Sequence, residues 1–217
     1  MNKLTRLANK WQTDKGTVTG DAHGYTEIYQ SYFKKYNRPK IIEIGVLRGG
    51  SIHMLNDFYN GDCEIWACDW DNDTKYYVDD LPNIHFVNID AGDKDSIERF
   101  RNSIKDVGID IIIDDSSHVW QHQMNLLSGL HGVLNEKGIY IIEDIHFSRL
   151  FEKSEESPLF FINFLKPSCL LSDEENSKLL STIKDVQIFS RKNLSTSGMV
   201  ERFGGRSMTA VITFEQM

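Results

Sequence analysis

The chain has 217 residues, 40% of them hydrophobic and 26% charged, which is one α/β domain's worth of sequence able to bury a core without a disulfide or metal staple. The formal net charge of −8 argues against a partner bound chiefly through phosphates, such as nucleic acid, and no apolar run approaches the roughly 18 residues of a membrane helix. The opening MNKLTRLANKWQTDKG has no apolar signal core and Cys63, Cys68 and Cys169 form no CxxC pair, so a reduced, cytosolic setting is expected.

The first 38 residues read as an N-terminal helical appendage, with Tyr25, Tyr29, Tyr32 and Phe33 on one helix, placed either to pack between subunits of a homo-oligomer or to close over their own site. Residues 39–217 read as a single domain. From Lys40 to Ile145 short apolar runs alternate with longer amphipathic stretches, the rhythm of βα units. Strands are expected at 40–45, 64–70, 84–90, 109–115 and 138–144, apolar on both faces like the inner strands of a helix-covered parallel sheet. Helical spacing fills the gaps: Ile52, Leu55 and Tyr59, with Ser51 as N-cap; Ile97, Phe100, Ile104 and Val107; Leu126, Leu127, Leu130 and Leu134. After residue 150, EKSEESP reads as a loop, FFINFL and SKLLSTI as helices, and VQIFSR and SMTAVITF as strands of a closing antiparallel hairpin.

The segment IIEIGVLRGGS (41–51) runs from strand through glycines into helix, where open α/β sheets bind nucleotide-like cofactors. Leu47 occupies the middle glycine of a dinucleotide fingerprint, which disfavours a nicotinamide oxidoreductase, and Ser51 follows Gly50 where a P-loop requires lysine. What remains, an acidic residue two before the first glycine and another closing the next strand, resembles motif I of class I S-adenosylmethionine (SAM) methyltransferases. The resemblance implies a Rossmann-like, doubly wound, mostly parallel seven-stranded sheet. It also implies close backbone approach at Gly45, a Glu43 carboxylate for the cationic amino-acid end, Asp69 for the ribose hydroxyls and Asp90 for the adenine amine. Asp114 is placed either to meet the cofactor's amino group or to cap its own turn.

Two further strand ends carry the more specific signal: DDSSH (114–118) and EDIH (143–146). Adjacent parallel strands bring Asp115, Glu143 and Asp144 together as hard oxygen ligands suited to Mg²⁺, with Mn²⁺ equally compatible. His118, three residues beyond Asp115, is placed as a general base beside that ion.

Together with the motif I turn and the N-terminal LANKWQTDKG and HGYTEIYQSYF, these motifs are similar to the metal-dependent sugar O-methyltransferases of the macrocin and mycinamicin type, over roughly residues 4–148. That resemblance implies methyl transfer from SAM to a hydroxyl of a deoxysugar on a natural product or surface polysaccharide. It assigns Mg²⁺ to Asp115, Glu143 and Asp144 and the base to His118. It also implies a lid in which Lys15 and Tyr25 face the methionine end of SAM. Relative to the larger members, a separate N-terminal domain is expected to be missing. His122, His146 and Trp120 lie near enough to meet the acceptor, whereas His53, His85 and His131 read as surface or packing residues. Arg202 and Arg206 mark either an acceptor loop or a plain hairpin turn. Two rivals stand beside this reading: a metal-dependent methyltransferase of a catechol or other small phenol, and a non-catalytic SAM-binding partner protein.

Overall fold

The computed structural model describes residues 1–20, 22–145, 157–192 and 206–215. Seven strands, β1 (Lys40–Ile44), β2 (Glu64–Asp69), β3 (Ile84–Asn88), β4 (Ile109–Asp114), β5 (Leu134–Ile142), β6 (Ile183–Lys192) and β7 (Arg206–Phe214), form one sheet of order β3-β2-β1-β4-β5-β7-β6. The pairs β1/β2, β2/β3 and β4/β5 are parallel, and β7 runs antiparallel to β5 with Tyr140 opposite Ile212. The chain divides into two compact units, residues 1–88 with 190–207, and residues 89–189 with 208–217.

In the first unit, α1 (Lys3–Lys10) and α2 (Thr26–Phe33) stand ahead of β1, and α3 (Gly50–Phe58) follows it. Sequence spacing misses α1, because only Leu4, Thr5 and Ala8 of its eight residues are buried and no long apolar stripe develops. The N-terminal segment is structural core of this unit. Tyr25, Tyr29 and Phe33 are fully buried and stack in succession, with ring centroids 5.9 and 5.5 Å apart. Tyr59 donates its hydroxyl to the Phe33 carbonyl at 2.9 Å, the Trp11 indole donates to Asp57 at 2.8 Å, and Trp11 stacks on His53. The ring of His23 meets the Ser207 hydroxyl at 2.6 Å, joining positions 184 residues apart in sequence. Tyr25, Tyr29 and Phe33 therefore pack within this unit, while Tyr32 is half-buried. At the margin of the sheet β3 is half exposed, unlike the apolar-on-both-faces strand expected there, because only one neighbour covers an edge strand.

In the second unit, α4 (Lys94–Ile104) is capped by the Asp93 side chain, and α5 (Trp120–Leu130) buries Met124, Leu126, Leu127 and Leu130. A short 3₁₀ turn, His131–Val133, ends that helical stretch, so Leu134 opens β5 and is not the last residue of a helical face. Further along, α6 (Pro158–Phe164) starts with proline in its first turn, and α7 (Asp173–Thr182) carries a complete capping box between Ser172 and Glu175. Two more histidines behave as the surface and packing groups expected of them: His85 meets Glu64 at 2.8 Å, and buried His131 donates through Nδ1 to the Leu127 and Ser128 carbonyls. Among the described residues no helix is long and apolar enough to cross a membrane.

Candidate active site

At the carboxyl end of β1 the chain must leave the strand and start a helix within a few residues, and it does so through left-handed backbone. Gly45 has φ 105°, Leu47 φ 50° and Gly49 φ 72°, and Gly49 rather than Ser51 is the N-cap of α3, with Ser51 buried inside the helix. Leu47 thus adopts the backbone that glycine would favour at its position, with a side chain left 75% exposed. A carboxylate holds the turn. One oxygen of Asp69 accepts from the Val46 and Leu47 N–H groups at 2.8 and 3.3 Å, and the other accepts from Asp71 N–H at 3.0 Å. The Gly45 N–H donates to the Cys68 carbonyl at 2.8 Å, tying the turn to β2. Burial, together with the Asp69 and Glu43 carboxylates, pushes the Cys68 thiol far up, which keeps it neutral and inert.

Gly49 has no room for a side chain, since a Cβ would meet the Tyr77 carbonyl oxygen at 2.9 Å. Gly49→Ala is expected to destabilise the protein by about 1–2 kcal/mol from the left-handed backbone alone, lowering Tm by about 2–8 °C. Thermal unfolding of the variant checks this, and an unchanged Tm would mean the turn relaxes freely.

Beneath the turn, Glu43 is fully buried and Lys15 is 1% exposed, with the ammonium 3.6 Å from the carboxylate. Such a pair costs much desolvation on both sides and persists only where the surroundings hold both charges in place. Tyr25, the other lid residue, is buried and stacks on His23 at 5.1 Å.

In the second unit β4 ends at Asp114, whose carboxylate accepts from the Ser116 hydroxyl at 2.8 Å and its N–H at 3.3 Å. One of its two oxygens thus caps the turn, one of the two roles expected for Asp114. Burial pushes it up to about 6. The next residues converge: Asp115, His118 and Asp144 each offer a ligand atom within 4.8 Å of the others, with His118 Nε2 3.5 Å from Asp144. His118 and Asp144 sit at φ 57° and 55°, left-handed backbone that is uncommon outside glycine, although Asp and His enter it more readily than most. Two left-handed non-glycine residues in one group of three are the kind of stored strain that gathers at functional sites. Glu143 does not join the group; its side chain is buried, while its N–H donates to the Asp114 carbonyl and its own carbonyl accepts from Gln123. Two carboxylates and an imidazole in this spacing fit a divalent cation.

Trp120 opens α5, and His122 lies two residues further on the same turn, its Nδ1 2.8 Å from the Ser117 hydroxyl. Asp90 is exposed beyond β3 and accepts from Gly92 N–H at 2.8 Å. His146, Arg202 and most of EKSEESP lie outside the described residues, as does the side chain of Arg206.

No family model matches the chain. Over 154 residues it is 29% identical to an 8-demethyl-8-α-L-rhamnosyl tetracenomycin-C 2′-O-methyltransferase of Streptomyces olivaceus, a match covering 67% of this chain and 38% of that protein. Over 151 residues it is 28% identical to the mycinamicin VI 2″-O-methyltransferase of Micromonospora griseorubida, covering 65% of this chain and 36% of that one. The chain thus spans well under half the length of these relatives. Among solved structures, the MycE methyltransferase of the mycinamycin biosynthetic pathway, in complex with Mg, SAH and mycinamycin VI, superposes with a TM-score of 0.73 at 20% identity, over 99% of this chain and 55% of that one. The fold is a Rossmann-like methyltransferase fold. In open α/β folds ligands bind outside the carboxyl ends of the strands. The glycine turn lies at that end of β1 in the first unit, and the Asp115 group at that end of β4 in the second. The left-handed backbone at Leu47, His118 and Asp144 is a signal that sequence reading lacks, because residue type alone does not say where a chain adopts it, least of all at a leucine.

Proposed function

We propose that this protein is a SAM-dependent, Mg²⁺-dependent O-methyltransferase acting on a sugar hydroxyl, a deoxysugar carried by a small natural product or a surface polysaccharide. The convergence of Asp115, His118 and Asp144 in a methyltransferase fold carries the reading. The sugar-methylating relatives and the Mg- and SAH-containing neighbour support it. When bound, SAM supplies a methyl group activated by its sulfonium, and the cation supplies acidity to a hydroxyl held against it.

The chain's own residues then divide the remaining tasks. Lys15 and Glu43 form a buried pair of opposite charges complementary to the carboxylate and ammonium of the methionine end. Gly45 allows close approach of the backbone, and Asp69 both fixes the glycine turn and lies where ribose hydroxyls are expected. Asp90 offers an exposed carboxylate toward an adenine amine. Asp115 and Asp144 hold the cation, with Glu143 as the neighbouring carboxylate. His118 takes the proton from the sugar hydroxyl, and Trp120 stands with the acceptor. The setting is cytosolic in this reading, in keeping with free, buried Cys63 and Cys68; burial pushes the Cys63 thiol up to about 11.

Thermal unfolding with SAM, S-adenosylhomocysteine or NAD, each with Mg²⁺ and with chelator, tests the reading. At 100-fold its Kd a ligand adds about 2.7 kcal/mol, so the sulfur nucleosides are expected to raise Tm by roughly 5–10 °C and NAD to leave it unchanged. A folded, ligand-free protein that responds to neither sulfur nucleoside would overturn it.

A further inference from the structure

The first turn of α5 is packed onto the turn that follows β3. Asn125 donates to the Ala91 carbonyl at 3.3 Å and is itself buried. On the same helix, the His122 ring is fixed at one end and directed at the other. The Ser117 hydroxyl oxygen accepts from Val119 N–H at 3.4 Å and lies 2.8 Å from His122 Nδ1. In the tautomer whose Nδ1 accepts from that hydroxyl, the ring hydrogen sits on Nε2. Nε2 points at Gly92: a Cβ built there would stand 2.8 Å from it and 3.2 Å from an Asp90 carboxylate oxygen. An N–H donor and a carboxylate acceptor therefore border the same small space, which exists because residue 92 has no side chain.

We propose that His122 reads the base of the cofactor, as a specificity-determining residue, with Asp90 as its partner. The inference rests on the methyltransferase reading. The edge of adenine presents an amino donor next to a ring-nitrogen acceptor, the complement of a carboxylate next to an N–H. Hypoxanthine puts a carbonyl oxygen where adenine has the amino group, so Asp90 would face an acceptor and the pairing would fail. His122 thereby leaves the acceptor side of the site, where its sequence position first put it.

The test is calorimetric titration of the wild-type protein, His122→Ala and Gly92→Ala with S-adenosylhomocysteine and S-inosylhomocysteine, in Mg²⁺. Gly92→Ala is the gentler variant, because its new methyl group displaces the tip of a side chain and leaves backbone alone. The wild type is expected to bind the adenosyl compound roughly 10–100-fold more tightly than the inosyl compound. Both variants are expected to lose most of that preference, through weaker adenosyl binding. Variants that keep the wild-type ratio, or lose affinity for both compounds equally, would overturn the role of His122. A wild type that binds neither compound would overturn the cofactor reading itself, and this proposal with it.

Discussion

Alanine at position 118 is expected to lower methyl transfer by roughly 10²–10⁴-fold, the usual contribution of a positioned general base, while leaving S-adenosylhomocysteine affinity nearly unchanged. The assay follows labelled methyl from SAM into a panel of L-rhamnosides and other deoxyhexosyl glycosides with free neighbouring hydroxyls, chosen because one relative is a rhamnosyl tetracenomycin-C 2′-O-methyltransferase. His118 Nε2 lies 3.5 Å from Asp144 and within the Asp115 group, so its loss has two separable meanings. If it serves as base, added imidazole restores part of the turnover and extra Mg²⁺ does not. If it serves only to bind the ion, the reverse holds. Asp115→Ala is expected to abolish activity at every metal concentration, and a variant still active in excess chelator would remove the cation from the mechanism. Near-normal turnover of His118→Ala would remove the imidazole.

Lys15→Met is expected to be the most damaging single change to stability. It leaves the Glu43 carboxylate fully buried without the ammonium that stands 3.6 Å away. Removing one member of a buried pair costs about 3–5 kcal/mol, which for a chain of this size corresponds to a fall in Tm of roughly 6–20 °C. Losing the ammonium favours the protonated form of the buried carboxylate. The double variant Lys15→Met/Glu43→Gln is expected to recover much of the loss, since the uncompensated charge is gone. Thermal unfolding of the single and double variants decides the matter. A single variant within about 2 °C of wild type, less than 1 kcal/mol for this size, would mean that water reaches the carboxylate. SAM affinity separates this structural role from the binding role, because the double variant should regain stability and still bind poorly.

Much of the fold was legible because it is written in periodicity. The five parallel strands, the helices between them and the closing hairpin lie within a few residues of their expected places, since, β3 aside, Ile-rich runs buried on both faces leave little alternative. What escaped was local. Short, polar α1 gave no stripe, Leu134 fitted a helical face yet began a strand, and a left-handed Gly49 displaced Ser51 from the cap. At the candidate site, Asp115, His118 and Asp144 were found from residue type and strand ends, and the structure brings those three together. Glu143 was placed with them from its strand end and from the resemblance; consecutive residues at a strand end point in different directions, and Glu143 is not among the three whose ligand atoms lie within 4.8 Å of one another. The turn-holding role of Asp69 was invisible because backbone N–H partners leave no trace in sequence.

The hydrogen bond between His23 and Ser207 bears on how the protein is made. The compact unit containing β1 to β3 is assembled from residues 1–88 and 190–207, so its first part emerges from the ribosome long before the last. At about 5–20 residues per second, the 184 positions separating His23 from Ser207 take roughly 10–40 s to synthesise. During that interval the aromatic segment beside His23 waits for its last partner, and a nascent chain stalled short of residue 207 would be a good client for a chaperone and a good substrate for a protease.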